Sequence, residues 1–346
     1  MFAKNLKYYR LKNGLSKKDL AEKVGLSAMA ITNYENGVRM ADMAILKNLA
    51  SVLGVKVSDF LERRNENLQF VHAEFRKNSK LSKTQQQLLK EDVEEYLQRF
   101  YSALDLLGGD LLPEELPVHC LSLSKDAEQD ALALRRYLKV AESGPIRYFV
   151  PQMENKGIIV HFIDFDSDCF SGMNGTVNGR PYLVVNNQMT TERIRSTIVH
   201  ELAHMVFDWS NEKDEKWNEE YATSIAGAFL FPKEDAVREL GVYRSKISPD
   251  MIAVAKEYGI SMFLLTKRAY LCGIVTHQQE TLFYQTASKL GWRKNEPSRI
   301  EKEEPNLFQQ LVFRGVCENE ISIQRGAELL GKSFDYVSEQ CLMYQR

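Results

Sequence analysis

The chain is poor in cysteine, and its few cysteines are not arranged for pairing. Five cysteines occur in 346 residues. They are Cys120, Cys169, Cys272, Cys317 and Cys341, with no CxxC pair among them. An odd and scattered set argues against a disulfide framework and against a thiolate zinc site, and it suits a reducing compartment.

Long apolar runs are also missing. The sequence has no stretch of about 18 apolar residues, so we expect no transmembrane helix and no membrane partner. The first residues, Met1 to Leu6, contain no apolar signal core, which argues against secretion. Together with the unpaired cysteines, these absences predict a cytoplasmic protein.

The charge is unevenly distributed, although the net charge of the chain is only −2. Residues 1–62 hold ten Lys/Arg and six Asp/Glu, a net charge of +4, and the remainder carries −6. A basic head on an acidic body predicts that any contact with DNA lies at the N-terminus.

The segment from Lys17 to Tyr34 has helix-turn-helix spacing. Ser16 and Ser27 can cap two short helices, and Gly25 supplies the turn. The second helix would lie in a major groove of double-stranded DNA. The expected contacts to phosphates and bases are Lys17, Lys18, Ala28, Met29, Thr32, Asn33 and Arg39. The alternative is a small helical domain that binds protein.

The whole chain predicts a mainly α fold with a small β-sheet, an α+β architecture. After a polar linker at 62–82, we expect helices at 84–107, 126–140, 191–209 and 218–230, with strands at 157–162 and 182–185. Residues 110–124 predict a loop. The expected sections are a helix-turn-helix head (1–62), a linker with a long helix (63–125), a metallopeptidase-like section (126–240) and a helical C-terminal region (241–346).

The run His200-Glu201-Leu202-Ala203-His204 is the clearest chemical signal. Residues four apart lie on one face of a helix, so His200 and His204 can direct two imidazoles at one metal ion. Glu201 lies one step round the helix, where its carboxylate can act as a general base on water. This is the helical zinc-hydrolase arrangement. The alternative is a buried helix that happens to carry two histidines.

A third ligand must come from elsewhere. A histidine six residues after His204 would indicate a metzincin, but that position is Ser210. The acidic candidates that follow are Asp208, Glu212, Asp214, Glu215, Glu219 and Glu220. Glu219 shares the helix face of Ala222 and Ala226, so we expect Glu219 to be the third ligand.

Two imidazoles and one carboxylate leave a zinc ion with an open position and a net positive charge. Zinc held in this way activates water, and Glu201 can accept a proton and pass it to a leaving amine. The predicted reaction is hydrolysis of a peptide bond. The residue that stabilises the oxyanion is open, with His161 and His277 as candidates.

Longer stretches of the sequence resemble two known families. Residues 2–61, with the stretches from Leu20 to Ser27 and from Ile31 to Gly37, resemble Xre-type helix-turn-helix domains. Residues from about 126 to 346 resemble the ImmA/IrrE metallopeptidases. The matching residues include Arg193, Arg195, the run at 200–204, Glu219, Phe229 to Pro232, Gly259 to Ser261, Arg268 and 320–331.

The ImmA/IrrE resemblance implies a zinc protease that cuts or otherwise inactivates a helix-turn-helix repressor. Such proteins act in stress responses, mobile-element induction or toxin–antitoxin pairs. It implies His200, His204 and Glu219 as ligands and Glu201 as the catalytic residue. The family often has Asn at the position of Thr223 and Gly at the position of Ala203.

Three functions follow from these observations. The first is a transcription regulator whose zinc endopeptidase cleaves a regulatory protein. The second is a DNA-binding sensor whose metallopeptidase fold binds a signal or partner and cuts nothing. The third is a protease whose helix-turn-helix head docks on a similar domain of its target, because Ala28 and Met29 offer little hydrogen bonding to bases. We also expect a homodimer, since such readers commonly bind two half-sites.

Overall fold

A computed structural model describes residues 1–61, 68–73, 81–109, 111–114, 116–166, 169–210, 214–293 and 295–342. The described residues belong to two compact units. Unit 1 draws on Met1–Leu68, Glu74–Asp110 and Leu311–Arg346, and unit 2 on Gln69–Ala73 and Leu111–Gln310. The predicted section limits at 62, 125 and 240 stay predictions. Among the described residues, no helix could span a membrane.

The fold is mainly helical with a small sheet, which confirms the predicted α+β class. The α-helices are α1 (Phe2–Lys12), α2 (Lys17–Val24), α3 (Ala28–Glu35), α4 (Met43–Leu53), α5 (Lys83–Leu106), α6 (Ala127–Tyr137), α7 (Phe149–Glu154), α8 (Thr191–Val206), α9 (Glu215–Leu230), α10 (Lys233–Leu240), α11 (Asp250–Tyr258), α12 (Met262–Leu271), α13 (His277–Lys289), α14 (Leu307–Cys317), α15 (Ile323–Leu330) and α16 (Phe334–Leu342). A 3-10 helix spans Val57–Leu61. The strands are β1 (Phe70–His72), β2 (Leu121–Ser122), β3 (Ile159–Ile163), β4 (Gly172–Val177), β5 (Arg180–Asn186) and β6 (Phe207–Asp208).

The N-terminal helices of unit 1 form where their caps predict them. The Ser16 side chain accepts from the Asp19 N–H in a capping box, and the Ser27 side chain accepts from the Ala30 N–H. Gly25 ends α2 with φ of 71°, a left-handed conformation that favours glycine. The helices enclose a shared apolar core that includes Leu6, Leu20, Ile31, Leu49 and Phe60.

Unit 2 is built on a four-stranded sheet in the order β1-β4-β5-β3. The strands β3 and β5 are parallel, whereas β4 is antiparallel to both β5 and β1. The helix α8 contacts β4, β5 and α9. Its residues Ile194, Ile198 and Leu202 recur every four positions and are fully buried. This apolar face fixes α8 against the sheet and leaves its other face for chemistry.

Several short elements differ from the sequence prediction. Residues 70–72 of the predicted linker form β1, and residues 121–122 of the predicted loop form β2, which pairs with β6. The glycine-rich stretch at 172–177 forms β4, and residues 149–154 form α7. Strands of two or three residues form by pairing with distant partners, which a local pattern does not reveal. The rest of the predicted linker, at 62–67 and 74–80, lies outside the described residues.

Candidate metal centre and DNA-binding surface

Three side chains from α8 and α9 converge on one point. His200 and His204 lie one turn apart on α8, and Glu219 lies on α9. Glu219 Oε2 is 3.0 Å from His200 Nε2 and 3.5 Å from His204 Nε2. One ligand atom from each residue lies within 4.8 Å of the other two. The structure thus brings together the three residues that the sequence predicts as ligands.

The group has the chemistry of a site for a divalent metal ion. His204 Nε2 is buried and has no hydrogen-bond partner among the described residues. Two nitrogen lone pairs and a carboxylate that face one another are unfavourable unless a cation or protons lie between them. Ligand atoms on a tetrahedral zinc ion are separated by roughly 3.4 Å, close to the spacing around Glu219 Oε2. The residues present therefore fit the metal that the sequence predicts.

Thr223 fixes the orientation of His200. Its Oγ1 atom is 2.8 Å from the Glu219 backbone oxygen and 3.2 Å from His200 Nδ1. A carbonyl oxygen can only accept, so the hydroxyl donates to Glu219 and accepts from the Nδ1–H of His200. The tautomer that results leaves a lone pair on His200 Nε2, on the side of Glu219 and His204.

Asn174 holds the carboxylate of Glu201. Its Nδ2 atom donates to Glu201 Oε2 at 2.8 Å from the middle of β4. A methyl group at Gly172 on the same strand would lie 2.8 Å from Thr197 Cγ2 and 3.5 Å from Glu201 Cγ, so glycine lets β4 approach α8 closely. Sequence reasoning missed Asn174, because it predicted no element between the strands at 157–162 and 182–185.

An aromatic cluster lies beside His204. The ring of Trp209 is 5.1 Å from the His204 ring, and its Nε1 donates to the Ala203 oxygen at 3.1 Å. Trp217 stacks on Tyr221 at 4.6 Å, and both rings also contact Trp209. This half-buried wall gives one side of the metal group an apolar lining.

Comparison with known proteins agrees with this geometry. Residues 6–60 match the helix-turn-helix family HTH_3, and residues 153–270 match the IrrE N-terminal-like domain, Peptidase_M78. The chain therefore joins an Xre-type helix-turn-helix domain to an M78 peptidase-like domain. Over 67 residues it is 36% identical to the "Uncharacterized HTH-type transcriptional regulator YqaE" of Bacillus subtilis (strain 168), a match over 19% of this chain and 57% of the relative. The chain thus spans just over half the length of that relative.

Two arginines that carry part of the resemblance have structural roles in the M78 domain. Arg195 is buried and donates to the Ile146 oxygen and, at 3.1 Å, to the Tyr258 oxygen. Arg268 is buried and donates to the Phe231 oxygen at 2.9 Å. Such bonds satisfy backbone carbonyls that would otherwise be buried without partners.

The other candidate residues of the M78 region are placed away from the group of three. Asp208 accepts from the Ser210 N–H, and Asp214 caps α9, whose next residue is Glu215. Glu220 lies 3.8 Å from Lys216 on the exposed face of the same helix, and Glu212 lies outside the described residues.

Neither histidine considered for the oxyanion belongs to the metal group of the described residues. His161 lies on β3, separated from β4 by β5. His277 lies at the start of α13, where its Nδ1 atom is 3.3 Å from Glu280 Oε2. Their predicted role stays a prediction.

The predicted DNA contacts lie on accessible parts of the helix-turn-helix domain. The exposed positions are Lys18, Ala28, Met29 and Arg39, and the half-buried ones are Lys17, Thr32 and Asn33. The Thr32 hydroxyl donates to the Ala28 oxygen at 3.0 Å, and Lys17 Nζ lies 3.6 Å from Glu35 Oε2. Lys18 and Arg39 are therefore the more available cations of the predicted set.

Proposed function

We propose that this chain is a cytoplasmic, DNA-binding transcription regulator whose M78 domain is a zinc-dependent endopeptidase. Its substrate would be a repressor-like regulatory protein in a stress, mobile-element or toxin–antitoxin response. The observation that carries the proposal is Glu201, which follows His200 on α8 and is held by Asn174. A domain that only stored a metal ion would not need an oriented carboxylate at this position.

The roles follow from the types of side chain. His200, His204 and Glu219 would hold Zn²⁺, which when bound would supply a Lewis acid for a peptide carbonyl and for water. Glu201 would accept a proton from the attacking water and deliver it to the leaving amine. Asn174 would hold the Glu201 carboxylate during both proton transfers, and Thr223 would hold the His200 ring with its Nε2 atom toward the metal.

The head would bind double-stranded operator DNA through α3, with Lys17, Lys18 and Arg39 on phosphates. Ala28, Met29, Thr32 and Asn33 would face the bases. We further propose a homodimer, because two such heads on adjacent half-sites bind far more tightly than one.

The test compares the wild-type chain with Glu201→Gln in one preparation. We expect both to bind one zinc ion per chain, and only the wild type to cleave co-expressed helix-turn-helix proteins. Absence of stoichiometric zinc would reject the metal site. Zinc without any difference in cleavage would favour a sensor that binds a signal and cuts nothing.

A second candidate role for the head is protein docking. Large apolar side chains are exposed on α3, on α4 and between them, namely Met29, Val38, Met40 and Met43. Apolar side chains can pack against a protein surface but cannot form hydrogen bonds or ion pairs with phosphates. Binding to a target protein that survives in high salt, together with no binding to DNA at low salt, would favour docking over DNA binding.

A further inference from the structure

The strand that holds Glu201 is covered on its outer edge by another part of the same chain. On one side of β4 lies β5, and on the other lies β1. Phe70, Val71 and His72 pair with Val177, Thr176 and Gly175 in antiparallel register. The pairing continues to Ala73, whose N–H donates to the Asn174 oxygen at 3.0 Å. The covering segment therefore reaches the residue whose side chain bonds Glu201.

A specific contact anchors this segment. The Tyr182 hydroxyl, on β5, passes over Gly175 on β4 and lies 2.5 Å from His72 Nδ1 on β1. A methyl group at Gly175 would collide with that hydroxyl and with the Val71 oxygen. Glycine at this position therefore allows one side chain to span the middle strand and hold the segment at the edge.

Backbone bonds also run along the segment, from the Asn178 N–H to the Gln69 oxygen at one end and from the Ala73 N–H to the Asn174 oxygen at the other. The strand β1 is three residues long, and the side chain of Val71 is 65% exposed. Paired residues share a face of the sheet, so Val71 and Ala73 lie on the face of Asn174, which is the face that α8 contacts. Backbone pairing does not depend on side-chain identity, so another extended segment of polypeptide could take the same place.

We propose that Gln69–Ala73 occupies in cis the place where an extended segment of a protein substrate pairs with β4, so that the chain blocks its own peptidase site. This inference rests on the proposed function. The substrate would be a protein with a segment that can detach from its own fold and pair with β4 as a strand. A protein that offers only its folded surface would not be a substrate. An internal strand competes at an effective concentration in the millimolar range for short connections, so the wild-type chain cleaves a dilute substrate slowly, and faster once the strand leaves.

The test measures occupancy of the edge without cleavage. The probe is a fluorescein-labelled peptide of sequence 68–73, added to the full-length, zinc-loaded chain in a Glu201→Gln background. The pairs Ala73–Asn174 and Gln69–Asn178 are hydrogen-bonded, and such pairs alternate along an antiparallel ladder, so the Val71 N–H is directed at the Thr176 oxygen. Val71→Pro removes this N–H and its bond. Val71→Thr keeps the N–H and is the matched control. His72→Ala removes the anchor but leaves Tyr182 available to the probe, and it serves as a second variant if Val71→Pro misfolds.

We expect Val71→Pro and His72→Ala to bind the probe at least about tenfold more tightly than Val71→Thr and the unaltered segment. Equal affinity in all four chains would overturn the inference. With Glu201 restored, both variants should cleave dye-quenched casein faster than the wild type. Tighter probe binding without any cleavage would reject the proposed endopeptidase but leave the blocked edge standing, whereas cleavage at the wild-type rate in both variants would reject the block.

Discussion

Thr223 and His200 are joined by a hydrogen bond that decides which nitrogen of the imidazole faces the metal group. The distance from Thr223 Oγ1 to His200 Nδ1 is 3.2 Å, and the same hydroxyl donates its hydrogen bond to the Glu219 backbone oxygen. Two proposed ligands are thus tied together through one side chain. The ImmA/IrrE proteins that this region resembles often have asparagine at this position. Its side-chain oxygen can accept a hydrogen bond from an imidazole N–H in the same way.

Replacing Thr223 with Val should therefore weaken zinc binding without removing a ligand. We expect a 10- to 100-fold loss of affinity, the usual effect of deleting a hydrogen bond behind a ligating histidine. Thr223→Ser should restore most of it, because the hydroxyl returns. Competition against a chelator of known affinity measures the change. Equal zinc affinity in the Val and Ser variants would show that the hydroxyl does not position His200.

Much of the candidate site is predictable from the sequence because it is local to two helices. The four-residue spacing places His200 and His204 together, and the phase of Ala222 and Ala226 separates Glu219 from Glu220. Each inference needs only the geometry of a single helix. The structure agrees with both, since the ligand atoms of His200, His204 and Glu219 lie within 4.8 Å of one another.

The parts that sequence reasoning missed depend on pairing between distant strands. Asn174 reaches Glu201 only because β4 lies against α8, and that approach needs Gly172. The segment 70–72 becomes a strand because it pairs with β4 at 175–177, and Tyr182 adds a side-chain bond to His72. Neither contact leaves a periodic pattern in its own segment, so no strand is predicted at 172–177, and the polar run at 62–82 predicts a linker.

Lys18 and Arg39 should each contribute one phosphate contact to DNA binding. Removing one such contact should make the negative slope of log K against log salt concentration shallower by about 0.9. We expect this change for Lys18→Ala and for Arg39→Ala on random-sequence duplex DNA, measured by fluorescence anisotropy across a salt series. Lys56→Ala, an exposed lysine after α4, is the control and should keep the wild-type slope. Slopes unchanged in all three variants would argue for the docking role of the head.

A buried ion pair holds α1 to α3 in the helix-turn-helix domain. Arg10 Nε and Nη2 donate to Glu35 at 2.5 and 3.0 Å, and both side chains are buried. Arg10→Met should destabilise the domain by about 3 kcal/mol, because it leaves the buried Glu35 carboxylate without the two hydrogen bonds that Arg10 donates. Amide hydrogen exchange in α1–α4 measures the loss. The double variant Arg10→Met/Glu35→Leu should recover most of it, and failure to recover would mean that packing rather than charge dominates.

Glu154 should make the stability of unit 2 depend on pH. Its carboxylate accepts from the N–H groups of Asn306 and Leu307, yet burial outweighs these bonds and raises its pKa from 4.5 to about 7. A raised pKa means that the folded state prefers the protonated form. The stabilising contribution is therefore complete below pH 4.5 and is lost as the pH rises through about 7.

The shift in the pKa of Glu154 corresponds to about 3 kcal/mol at most. Glu154→Gln cannot titrate, so urea unfolding of both chains from pH 4.5 to 8 isolates the contribution as the difference between them. We expect the wild type to lose stability relative to Glu154→Gln across this range. A difference that stays constant would show that the group does not titrate there. A wild type that gains stability instead would show that the bonds from Asn306 and Leu307 outweigh burial.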